Sequence, residues 1–201
     1  MPVREHLNDP TVAGAPAAPP PTRVLVGGVG YRWLGDASFG LAVSDELASV
    51  GLAPGVEVAD LGYGALYVAQ DLADAQPPYD RVILVAAVSR GRESGRVYRW
   101  RWDGTLPADE EVLARLREAG AGVIDLDHLL VVAGHLGALP QDVVVIELEP
   151  VVDATEVAEG GRRQDKGTGG CELSPPAARL VPDVVALVGA EAAAPLPRQT
   201  G

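Results

Sequence analysis

The chain has 201 residues, 47% hydrophobic and 22% charged, a length and composition that fit one globular domain and leave little for a second. Aromatic residues are 4%, so the core must be built mainly of Val, Leu and Ala. A formal charge of −12 argues against binding nucleic acid or an anionic membrane, the lone Cys171 excludes an intrachain disulfide framework and a multi-thiolate metal site, and no apolar run approaches the ~18–20 residues of a membrane span.

Residues 1–22 include AGAPAAPPPT, which cannot build a core and is expected to form a disordered tail. That stretch has no long apolar segment, so no secretory signal is expected and a cytoplasmic protein is. RVLVGGVG (23–30) is an apolar, β-branched run and predicts a buried strand. FGLAVSDELASVG (39–51) has apolar residues at helical spacing and stops at Gly51. VEVADLG (56–62) predicts a strand and ALYVAQDLADA (65–75) a helix. RVILVAAVS (81–89) is the most apolar strand, expected at the centre of a sheet. RVYRWRW (96–102) alternates apolar residues with arginine, as an antiparallel or edge strand with one wet face does. ADEEVLARLREAG (108–120) and LDHLLVVAGHLGALP (126–140) predict helices, and DVVVIELEP (142–150) a strand. The polar, Gly-rich stretch 152–172 reads as a flexible loop. SPPAARLVPDVVALV (174–188) opens on a Ser174 cap with Pro175 behind it, and Pro182 should kink or restart that helix. Residues 191–201 read as a second disordered tail, leaving a domain over 23–190. Strands alternating with helices imply an α/β fold with a mostly parallel five-stranded sheet covered on both faces.

Function in such a sheet belongs at the carboxyl ends of the strands, here 28–36, 61–64 and 86–92. GGVGYRWLGD (27–36) has neither the G-x-G-x-x-G spacing nor a following G-K-S/T, so a wide turn needing glycine freedom is favoured over a phosphate cradle. His128 and His135 are seven apart, about 10.5 Å along a helix, too far to chelate one ion, and read as solvated. Cys171 has no adjacent histidine, and no G-x-S-x-G occurs. Arg81, Arg90, Arg92, Arg96, Arg99 and Arg101 interleave with Tyr98, Trp100 and Trp102. That strip would suit an acidic partner, or else be a solvated face with arginine stems packed on aromatic rings.

VLVGGVGYRWLGDASFGLAVSDEL (24–47) resembles the opening of the NiFe-hydrogenase maturation endopeptidases. The resemblance continues in order through 56–100, through IDLDHLLVVAGHLGALPQDVVVIELEP (124–150) and through LSPPAARLVPDVVALV (173–188). It implies a three-layer αβα, phosphorylase/hydrolase-like fold. It also implies an aspartic-type hydrolase that clips a C-terminal extension from the hydrogenase large subunit after sensing nickel on that substrate. The family's nickel-sensing positions fall here on Ala37, Ala86 and Gly122, and none offers a side-chain donor. The resemblance therefore implies a catalytically degenerate member that binds the hydrogenase large subunit or its maturation factors, with no metal site or cofactor of its own. A monomer is expected, with Asp36, Asp60, Tyr63 and Arg90 edging the substrate cleft. An active endopeptidase with dispensable or replaced ligands is the other reading, and an unrelated small-molecule binder on the same fold the third.

Overall fold

Residues 22–123, 125–152 and 172–197 are described by the computed structural model. The elements run β1 (Val24–Gly28), a 3-10 turn (Gly35–Ser38), α1 (Phe39–Val50), β2 (Val56–Asp60), α2 (Ala65–Asp74), β3 (Arg81–Ala87), β4 (Val97–Trp102), α3 (Asp109–Gly120), α4 (Leu126–His135), β5 (Asp142–Leu148) and α5 (Pro175–Ala193). Cys171, His6 and residues 1–21, 153–171 and 198–201 lie outside the described residues, and of the expected tail at 191–201 residues 191–193 belong to α5.

The strand order is β2-β1-β3-β5-β4. The first four strands are parallel, and β4 returns antiparallel on β5 at the sheet edge. The apolar run of β3 is central because its neighbours and both helical layers take every side of it from water. Alternation divides the core in two. Leu25, Val82, Leu84 and Val145 face α2, α3 and α4, whereas Val24, Val26, Ile83 and Ile146 face α1 and α5. The result is a three-layer αβα sandwich, and among the described residues no helix is long and apolar enough to cross a membrane.

Two elements depart from the sequence reading. α4 ends at His135, short of residue 140, because Gly137 takes φ +66° and its N–H donates to the Gly134 carbonyl at 3.0 Å. α5 runs as one helix through Pro182 for 19 residues. Pro182 and Ala178, whose carbonyl loses its helical donor, are both exposed, so the freed carbonyl is open to solvent.

Glycine sets how closely α1 lies on the sheet. A Cβ at Gly40 would stand 2.1 Å from the Val85 carbonyl oxygen, and one at Gly28 would stand 2.3 Å from that of Gly40. Backbone meets backbone there, and this brings the 3-10 turn against the carboxyl end of β3. At the opposite end of the sheet, fully buried Arg81 pairs with Asp142 at 2.6 Å and donates to the carbonyls of Glu191, Ala194 and Pro195. It anchors the end of α5 and is not part of an exposed basic strip.

Candidate functional site

The carboxyl ends of the parallel strands meet at the connections after β1, β3 and β5. Asp36, in the 3-10 turn, is fully buried beneath them. One carboxylate oxygen accepts from the Val151 and Val152 N–H groups at 2.9 and 3.2 Å and from the Ser174 hydroxyl at 3.0 Å. The other accepts from the Ser174 N–H at 2.8 Å. Asp36 thus ties the exit of β5 and the cap of α5 to the turn after β1. It lies under the cleft, with its lone pairs committed to the chain itself.

Beside it runs a wall of paired charges. Glu147 on β5 is fully buried and stands in register with Ala86 on β3 and Tyr98 on β4. Arg90 donates to Glu147 at 2.6 Å and reaches Asp127 on α4 at 2.7 Å. Arg92 pairs with Glu147 at 2.8 Å and Glu149 at 2.9 Å, and its guanidinium stacks 4.0 Å above the Tyr98 ring. Glu149 also accepts from the backbone N–H groups of Arg90 and Gly91 at 2.8 and 2.9 Å. Burial pushes the Glu149 carboxyl up, but Arg92 and the N–H groups of residues 90–92 outweigh it and hold the group below its usual range. Hydrogen bonding to Glu147, ahead of the opposing effect of burial, raises the Arg90 guanidinium above its ordinary value.

Two concavities share Asp127 along this wall. A cavity of about 250 Å³ is lined by Ala37, Ala87, Val88, Ser89, Asp125 and Pro150, among others. A groove of about 580 Å³ continues past Arg90 and Arg92 to Trp100, Trp102, Leu130 and Arg115. β4 splits the Arg/Trp strip by face: Trp100 and Trp102 pack on the α3 and α4 side, while Arg99 and Arg101 turn to the other face and pair with Glu191 and Asp142.

Ala37 lines the cavity, and Ala86 is buried beside Glu147. Gly122 has φ +89° and closes the end of α3, its N–H donating to the Ala119 carbonyl at 3.0 Å. That position serves a turn that a side chain would strain. His128 is buried, not solvated: Nδ1 lies 2.5 Å from Asp125 and Nε2 2.5 Å from Glu118, where the last turn of α3 meets the first of α4. His135 is exposed. Among the described residues no group of three or more His, Cys, Asp or Glu is placed to hold a metal ion.

The hydrogenase 2 maturation peptidase of Thaumarchaeota archaeon SCGC_AB-539-E09 is 31% identical to this chain, over 85% of this chain and 98% of that one, with a TM-score of 0.54. The chain belongs to the hydrogenase maturation peptidase family. Two more distant structures share the fold. The hydrogenase maturating endopeptidase HybD of E. coli is 20% identical over 85% of this chain and 91% of its own, with a TM-score of 0.56. The NiFe hydrogenase maturation protease HycI of Thermococcus kodakarensis KOD1 is 21% identical over 84% and 91%, also at 0.56. No family model matches the chain, and no curated protein sequence does.

The maturation peptidase fold therefore gathers Ala37, Ala86 and the Arg90 wall at one end of the sheet and buries Asp36 below it. Asp60 and Tyr63 stand at the end of β2, further along that end. Asp60 pairs with Arg32 at 2.8 Å and accepts from the Gly62 N–H at 2.8 Å, and the Tyr63 hydroxyl donates to Asp71. Sequence reasoning missed Glu147, Glu149 and Asp127. The signal for the two glutamates was present: two acids spaced by two interrupt an otherwise apolar strand in VVVIELE, and two arginines of the same spacing stand in RGR.

Proposed function

We propose that this maturation peptidase homologue acts on the large subunit of a NiFe-hydrogenase as a binding factor, holding the immature subunit without cutting it. Its fold and its 31% identity to a hydrogenase 2 maturation peptidase support the partner. The observation that carries the absence of cutting is the chemistry at the three nickel-sensing positions. Nickel arrives on the substrate and needs imidazole or carboxylate donors to be read. Ala37 and Ala86 present methyl groups, and Gly122 presents no side chain. The nearest carboxylate to Ala86 on the sheet, Glu147, is committed to Arg90 and Arg92. The concave end of the sheet still offers an extended chain segment a path from the cavity at Ala37 into the groove at Trp100 and Trp102. The compartment in this reading is the cytoplasm, and the protein works without a cofactor.

A second reading, an active endopeptidase, draws on Asp125 and Asp127, whose side chains line the same cavity as Ala37. Both are already engaged, Asp125 as the cap of α4 and with His128, Asp127 with Arg90. Incubating the purified protein with nickel-loaded large-subunit precursor separates the two readings. The binding factor co-elutes with an unshortened precursor, whereas the endopeptidase releases its C-terminal extension.

A further inference from the structure

The chain has nine aromatic residues, three Trp, five Tyr and one Phe, and their placement is uneven. Phe39 is fully buried, whereas Trp33 is 73% exposed, Tyr67 67%, Tyr63 45% and Tyr31 37%. Tyr31, Trp33 and Tyr63 stand on the two connections that leave the neighbouring parallel strands β1 and β2, and Tyr67 stands in the first turn of α2. The connections touch: a Cβ at Gly62 would stand 2.6 Å from the Gly30 carbonyl oxygen, and Arg32 reaches across to Asp60 at 2.8 Å. Leu66 adds an exposed aliphatic side chain.

The presentation of Trp33 is built. Its φ is +65°, a left-handed conformation that costs free energy in a bulky non-glycine residue. The loop is held there from both sides. Arg32 grips Asp45 on α1 with two hydrogen bonds, at 2.8 and 3.0 Å, while also pairing with Asp60. On the other side the Ala37 N–H donates to the Leu34 carbonyl at 3.1 Å. The strained backbone holds the indole mostly in water, at the rim of a concavity lined by Leu41, Leu173 and Ala178. Exposed Trp and Tyr on a pre-ordered loop are the side chains that dominate protein interfaces.

The surroundings define the partner. From Val24 to Asp80 the chain has one basic residue, Arg32, against eight acidic ones. Asp45, Asp60 and Asp71 are exposed beside these two connections, Asp71 accepting from the Tyr63 hydroxyl, and Arg32 is already paired. We propose that Tyr31, Trp33, Tyr63 and Tyr67 form a docking surface for a protein partner that presents an apolar patch ringed by Lys and Arg. Such cations pair with the acidic rim and stack on the exposed rings. A second copy of this chain would set that rim against itself, and an anionic membrane would be repelled. The surface lies beyond the Ala37 cavity. Only the identification of its partner with the hydrogenase large subunit rests on the function proposed above.

Two titrations with the full-length protein test this. The first uses a 14-residue amphipathic Lys/Leu peptide as the probe and its Glu/Leu counterpart as the control. The Lys/Leu peptide should shift the Trp33 indole N–H resonance and bind at least tenfold tighter than the Glu/Leu one, and high salt should weaken it. Trp33→Ala and Tyr67→Ala should each weaken it at least tenfold with the melting temperature unchanged. Trp33→Gly, which relieves the positive φ, should lose the same affinity without losing stability. Equal binding of both peptides, or undiminished binding by Trp33→Ala, overturns the proposal, as does a concentration-dependent dimer that Trp33→Ala dissolves. The second titration uses the large-subunit precursor. Wild-type binding that Trp33→Ala abolishes supports the surface, and binding indifferent to it overturns the surface while leaving the function reading intact. If the precursor does not bind at all, the function reading fails and the peptide result alone decides the surface.

Discussion

Replacing Asp36 with alanine strands four donors at once: the N–H groups of Val151, Val152 and Ser174 and the Ser174 hydroxyl. A buried donor left without a partner costs about 1–3 kcal/mol and one that water reaches costs less, and these bonds are part-buried, so Asp36→Ala should lower unfolding free energy by about 3 kcal/mol in a urea titration. Asp36→Asn, which keeps acceptor oxygen, should cost less. Ala86→Asp should also destabilise, by about 2–4 kcal/mol, because the new carboxylate would be buried in register with Glu147, whose two guanidiniums are already shared. Glu149 supplies a pH test. Its folded-state pKa is depressed, so its contribution to stability is present above the unfolded glutamate value of about 4.3 and is lost as pH falls through the lower folded value. Stability measured from pH 7 down to pH 3 should therefore fall less steeply in Glu149→Gln, and an acid limb identical to that of the wild type contradicts the account. These roles were hard to read from the chain. Asp36 is one acid in a glycine-rich turn, and what buries it arrives more than a hundred residues later. Glu147 and Glu149 were legible as a period-two pair only to a reader asking why charge interrupts an apolar strand.

The elements themselves were largely legible. Apolar β-branched runs placed β1, β3 and β5, glycine marked the end of α1, and the Arg/Trp alternation placed β4 as an antiparallel edge. What local pattern could not supply was set by tertiary contacts or by solvent. α5 passes through Pro182 because the broken hydrogen bond faces water, and α4 stops at a left-handed glycine that the apolar period runs past. Two predictions belong at this scale. Pro182→Ala restores an N–H and removes a poor helix former, so the melting temperature should rise, with a gain of about 1–3 kcal/mol. Gly40→Ala forces a methyl group into the Val85 carbonyl and should separate α1 from the sheet. A loss of about 2 kcal/mol or more is expected from chemical denaturation, and a neutral result contradicts the close backbone packing.

At the scale of the whole molecule, charge is divided along the chain. The β1 and β2 half is acidic and carries the exposed aromatic residues, while most of the arginines follow from Arg81 onward, and five of them, Arg81, Arg90, Arg92, Arg99 and Arg101, are bound into ion pairs with Asp142, Glu147, Glu149 and Glu191. The family scaffold is retained, and a paired-charge wall lines its concave end. The central claim is that such a molecule binds a hydrogenase large subunit without processing it. The most direct measurement is mass spectrometry of nickel-loaded large-subunit precursor after incubation with the purified protein and passage of the mixture over a sizing column. The account predicts a stable complex in which the precursor keeps its full mass. Loss of the C-terminal extension, at a rate above that of the precursor alone, would contradict it.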